Sequence, residues 1–122
     1  MNDKMRATLN YHAGLSAENI VAETYRRQGH TVANQRWRGT HGEIDLVVED
    51  PDRVVFIEVK KSRTHASAAQ RLGARQIARM MQTATEYVAD RPNGQLTEMR
   101  FDLATVDQAG TVEIRENIIM AA

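Results

Sequence analysis

Two hydrophobic periods run along the chain, and the switches between them mark out its elements. Ala17, Val21, Thr24 and Tyr25, with Ala22 beside them, recur at helical spacing. Ser16 can cap such a helix, which the pattern carries to about Gln28, with Gly29 as its left-handed stop. Three extended runs follow: Thr31–Arg38, Glu43–Glu49 and Val54–Lys60. The first two are joined through Gly39, Thr40, His41 and Gly42, the second pair by the turn Asp50-Pro51-Asp52-Arg53, which makes that pair an antiparallel hairpin. A polar loop (Ser62, Arg63, Thr64, His65) leads to a long helix expected over Ala69–Ala89, with Ile77, Met80, Met81, Ala84 and Val88 on its apolar face. Asp90-Arg91-Pro92-Asn93-Gly94 ends it, and strands are expected at Glu98–Val106 and Thr111–Arg115. Strand, helix, strand is a crossover, so Val54–Lys60 and Glu98–Val106 should lie parallel. The fold class is α/β: α-β-β-β-α-β-β around a central mixed sheet flanked by helices, as one domain over residues 15–122 behind a weakly structured tail, 1–14.

Composition narrows the function classes. The 122 residues are 42% apolar and 26% charged, enough for one domain with a real core. No apolar run approaches the roughly 18 residues of a membrane span. The N-terminus lacks the apolar stretch of a secretory signal, and the absence of cysteine removes disulfide scaffolds and thiolate metal sites. A cytoplasmic location with no membrane partner is the expectation. Sixteen basic residues balance sixteen acidic ones, which argues against coating a polyanion by bulk attraction. The charges are nevertheless segregated. Glu43, Asp45, Glu49, Asp50, Asp52 and Glu58 precede Lys60, Lys61, Arg63, Arg71, Arg75 and Arg79, and no acid interrupts the basic run.

Alternation sharpens this into a candidate site. In extended chain Glu43 and Asp45 share one face, with Ile44 and Leu46 on the other; Glu58 and Lys60 likewise share a face, opposite Ile57 and Val59. If the hairpin register joins the polar faces, Asp45, Glu58 and Lys60 converge between strands that are otherwise strongly apolar. Burying such groups is costly unless they compensate one another or share a cation. Clustered carboxylates suit Mg²⁺ or Mn²⁺. A lysine beside them can hold a phosphate oxygen or orient a water. The competing explanation is an inter-strand ion pair of purely structural use.

Asp45, twelve residues, then Glu58-Val59-Lys60 on an apolar strand resembles the signature of the PD-(D/E)XK nuclease superfamily. More narrowly, Asn34-Gln35-Arg36-Trp37-Arg38, Gly42-Glu43-Ile44-Asp45-Leu46, Phe56-Ile57-Glu58-Val59-Lys60 and Arg100-Phe101-Asp102, in that order, resemble the YraN-like family of predicted endonucleases. The likeness extends from about Ala17 to Asp102. It implies Asp45 and Glu58 as metal ligands, Lys60 as the catalytic lysine, and Glu18, in the Ala17-Glu18…Ala22 pattern, as a third acid. Helical spacing agrees, since Glu18, Ala22 and Tyr25 lie at the edge of the buried stripe, whereas Glu23 falls beside Arg26 and Arg27. The superfamily's proline is replaced by Ile44 and the family's early glycine by Ala17, and the loop after Lys60 is short. By alignment Gln76 stands where the family commonly carries a lysine, which makes it a secondary site candidate.

Arg71, Arg75 and Arg79 are spaced to form one basic stripe if the helix is continuous. With Lys61 and Arg63, Arg75 and Arg79 are candidate phosphate contacts. Trp37 fits sheet packing better than base stacking. His41 can at most assist proton transfer, and the four histidines lack zinc-ligand spacing. The expectation is Mg²⁺- or Mn²⁺-dependent phosphodiester hydrolysis of DNA, branched or single-stranded forms included and RNA the other polyanion, by a monomer or homodimer. The alternative is a non-catalytic nucleic-acid-binding or scaffold module that keeps the nuclease fold.

Overall fold

The structure, a computed structural model, describes residues 2–119 and the side chains of all of these except 7–15. Its elements are α1 (Asp3–Arg27), β1 (Val32–Arg38), β2 (Glu43–Glu49), β3 (Val54–Lys61), α2 (His65–Gln70), α3 (Ala74–Val88), a 3₁₀ turn (Gly94–Leu96), β4 (Met99–Val106) and β5 (Val112–Arg115). The strands form one mixed sheet in sequential order; β3 and β4 are parallel and every other pair antiparallel. Both the hairpin and the crossover match the sequence pattern.

Two helices depart from it. The first starts at Asp3, well before the Ser16 cap the pattern predicts. Asn2 serves as N-cap, its side chain accepting the Met5 N–H at 2.8 Å, and Asp3 complements the positive end of the helix. Gly29 takes the expected left-handed conformation (φ 93°), and the chain turns there as Gly29 and His30 donate to Arg26 and Tyr25 carbonyls. Ala17, Val21, Ala22 and Tyr25 are buried, whereas Thr24 is half-buried and bonds back to the Ile20 carbonyl at 3.0 Å.

The single helix expected over 69–89 is two. Thr64 and Ser67 form a capping box that starts α2 early, and Gly73, in extended conformation (φ −96°, ψ 169°), is the N-cap of α3. The break removes the continuous arginine stripe: Arg71 leaves α2 to donate to the Lys61 carbonyl at 2.7 Å, while Arg75 and Arg79 belong to α3. Met80 is buried in the core as expected, but Met81 is 43% exposed on the outer face.

The helices divide the core. Tyr25 and its neighbours on α1 pack on Leu46, Val48, Val55, Ile57, Ala104 and Val106, while Met80, Ala84, Tyr87 and Val88 of α3 cover Ile44, Val47, Val54, Phe56 and Phe101. Phe56 anchors the second layer, edge-on to Tyr87 and stacked on Phe101. Trp37 joins it, 5.0 Å from Tyr87 in a T-shaped contact, so its role is packing. Ile118 and Ile119 close this layer, with the Ile118 N–H bonded to the Phe101 carbonyl at 2.8 Å; Met120 lies outside the described residues. Among the described residues no helix is long and apolar enough to cross a membrane.

A buried polar clasp ties α1 to the sheet. Asp102 is fully buried on β4: Oδ1 accepts from Arg100 Nε (2.9 Å) and the Asn117 N–H (3.1 Å), Oδ2 from an Arg100 Nη (2.8 Å) and the Tyr25 hydroxyl (2.8 Å). The Arg100-Phe101-Asp102 segment thus fastens Tyr25, two turns beyond Glu18 on the same helix.

A second clasp fixes the β1–β2 loop. The Glu86 carboxylate of α3 accepts from the Thr40 N–H and hydroxyl at 2.8–3.0 Å, and His41 lies 3.6 Å away. Gly39 is close-packed beneath it: an added Cβ would stand 2.7 Å from Glu86 Oε2 and 2.9 Å from the Trp37 ring. Gly39→Ala should therefore push Glu86 off Thr40. Amide exchange in residues 39–42 should quicken while the sheet amides keep their protection; unchanged loop exchange would show that the clasp does not order the loop.

Candidate active site

The β2–β3 ladder runs from Glu49↔Val54 to Leu46↔Ile57 and stops there, while β3 stays paired with β4 as far as Lys61↔Val106. Where the strands part, a side chain replaces a backbone partner: the Val59 N–H donates to Asp45 Oδ2 at 2.7 Å. Strict alternation fails here. Leu46 belongs to the α1-side core but Ile44 to the α3-side core, not to one shared face. The strand twists through Asp45, which turns its carboxylate into the gap.

Three acids meet in that gap. Asp45 is close enough to both Glu58 and Glu18 for its charge to act on each. Glu58, 5% exposed, has Lys60 Nζ 3.7 Å from its Oε1, and the same oxygen accepts a hydrogen bond from Gln76 Nε2 of α3. Burial, and then the Asp45 charge, push the Glu58 carboxyl up to about 8, against the pull of Lys60. Burial and the Asp45 charge likewise raise Glu18 to about 7, against Arg36. Asp45 is also raised by burial, but the Val59 N–H, the Glu58 hydrogen bond and Lys60 oppose this. Burial thus disfavours full ionisation of the three acids together.

Glu43 sits at the rim, 3.1 Å from Arg36 Nε and 3.4 Å from an Arg38 Nη. Beside it a cleft of about 160 Å³ is lined by Gly42, Glu43, Glu58, Gln76, Arg79, Met80 and Thr83. Gln76 and Arg79 therefore face the carboxylates. Arg75 is exposed on α3, and Lys61 and Arg63 line a separate, open hollow of about 380 Å³ with Ser62 and Gln108. Sequence reasoning gave Arg36 no role of its own, although counting outward from the β1–β2 loop sets it opposite Asp45.

The donor set fits a hard divalent cation: carboxylate oxygens only, one of them oriented by a backbone N–H, and all raised by burial so that removing charge stabilises them. Among the described residues no three His, Asp or Glu side chains are already gathered at ligating distance. Proton and metal compete for such oxygens, so binding would release protons and strengthen as pH rises towards 8.

A small α/β domain with a sheet-borne carboxylate cluster is the class that fold and site define. The model of the Uncharacterised protein family UPF0102 matches residues 17–106, and the chain belongs to that family. It is 52% identical over 117 residues to a UPF0102 protein of Cereibacter sphaeroides, covering 96% of this chain and 100% of the relative. It is 53% identical over 112 residues to one of Ruegeria pomeroyi, covering 92% and 91%. A Roseobacter denitrificans relative is 51% identical over 109 residues, covering 89% and 84%.

Proposed function

We propose that the protein is a Mg²⁺- or Mn²⁺-dependent endonuclease of the PD-(D/E)XK superfamily, hydrolysing phosphodiester bonds of DNA. The observation that carries this reading is the meeting of Glu18, Asp45 and Glu58 in the gap where β2 leaves β3, with Lys60 against Glu58. Glu18, Asp45 and Glu58 would hold the ion. Once bound, it supplies a water of lowered pKa and neutralises charge building at phosphorus. Lys60 holds a phosphate oxygen or orients the attacking water from the Glu58 side. Gln76 fixes the Glu58 rotamer, and the Val59 N–H fixes Asp45. Arg79 extends positive charge along the cleft; Arg75, Lys61 and Arg63 offer flanking phosphate contacts.

Purified protein with Mg²⁺ or Mn²⁺ should cut at least one of linear, nicked, single-stranded and junction DNA, with RNA as comparison. Cutting should vanish with chelator and in Glu58→Ala and Lys60→Ala. Cleavage that survives both substitutions refutes the assignment. Salt-dependent DNA binding without turnover favours the non-catalytic module instead.

A further inference from the structure

Arg36 is a non-glycine residue with a left-handed backbone (φ 57°), in the middle of β1. Its place explains the conformation. Between the pairs Gln35↔Leu46 and Trp37↔Ile44, β2 changes face: Leu46 packs with α1, whereas Ile44 and Trp37 pack with α3. Arg36 and Asp45 are the middle residues of these two steps. The twist that aims Asp45 into the gap is thus accommodated across the ladder by Arg36. Glycine would accept this geometry without strain, so a long cation here needs a reason.

The reason is in what the guanidinium touches. Nε lies 3.1 Å from Glu43 Oε1 and 4.0 Å from Glu18 Oε2, whereas Lys60 pairs with a different acid, Glu58. The side chain is 37% exposed, at the solvent edge of the cluster. Arg38, 3.4 Å from Glu43, keeps that carboxylate paired when Arg36 leaves it. An exposed ion pair adds little stability by itself and does not account for a strained backbone. A divalent ion ligated by Glu18 would stand within a few ångströms of the guanidinium, and like charges at that distance repel.

We propose that Arg36 is the resting counter-cation of the carboxylate cluster, which a divalent ion displaces and which then takes a phosphate oxygen of the nucleic-acid backbone. This inference rests on the endonuclease reading and adds a hand-over step to it. The guanidinium pairs with Glu43 and stands beside Glu18 in the resting protein, and its fork suits a phosphate once released.

Calorimetric titration of Mn²⁺ into wild type, Arg36→Gln and Arg36→Gly tests the first half without any cleavage assay. Losing the competing cation should make Mn²⁺ binding on the order of tenfold tighter in both variants. Arg36→Gly relaxes the backbone and so carries the test even if Arg36→Gln folds poorly. DNA binding with Ca²⁺ as the ion should weaken in the same variants, with a log–log salt slope reduced by about 1. Equal or weaker Mn²⁺ affinity in the variants, beside a wild type that binds, overturns the inference and leaves the endonuclease reading standing. If none of the three takes up Mn²⁺, both fall together.

Discussion

Asp102→Ala should destabilise the protein by about 3–5 kcal/mol, the usual cost of removing one member of a buried charge cluster. The carboxylate is fully buried and accepts four hydrogen bonds, from Arg100 twice, from Tyr25 and from the Asn117 N–H. Alanine strands the buried Tyr25 and Arg100 donors without their acceptor. Arg100 keeps only its contact with the exposed Glu116, at 3.4 Å. Since domains of this size are stable by about 5–15 kcal/mol, the loss should shift the urea midpoint strongly at unchanged slope. Tyr25→Phe removes one bond of the four and should cost only about 1–2 kcal/mol. A cost below 1 kcal/mol for Asp102→Ala would show that the clasp is not what holds α1.

Stability of the metal-free protein should fall as pH rises from 5 to 8. Glu18 and Glu58, ordinarily near 4.5, are raised to about 7 and about 8 in the folded state. Across that window the folded chain binds more protons than the unfolded one, so unfolding becomes easier with each step upward. Their contribution is complete below about pH 4.5 and is lost as the pH passes 7 and then 8. At roughly 1.4 kcal/mol per unit, reduced because the acids titrate together, the change is on the order of a few kcal/mol. Glu58→Gln should flatten the profile and raise Tm at pH 8. Mg²⁺ should restore wild-type Tm at pH 8 and do little at pH 5, where protons hold the oxygens. A Tm that is flat across this range and indifferent to Mg²⁺ would mean the acids do not repel one another.

The sheet was legible because its strands are apolar runs separated by strong turn signals, and the crossover rule fixes β3 against β4. The site was legible through Glu58-x-Lys60 and the hairpin that brings Asp45 to it. The missed features are those whose signal is weak or contrary. Gly73 was readable as a helix boundary, but the apolar positions that define the helix, Ile77 to Val88, all lie beyond it and say nothing of where it starts. The helix ahead of Ser16 begins at a cap on Asn2, well before the apolar spacing that starts at Ala17. Strict alternation mispredicted Ile44 because the twist depends on a left-handed arginine, which sequence preference disfavours. Arg36 was missed for the same reason.

The hydrogen bond from Tyr25 to Asp102 joins positions 77 residues apart. Every candidate acid and Lys60 has been synthesised long before Asp102 leaves the ribosome, yet α1 has no clasp until β4 docks. Long-range closures of this kind come late and slowly in folding. A nascent chain ending near residue 95 would carry a full set of candidate site groups without the bond that seats its first helix, so Glu18 should take its place only after β4 has been made.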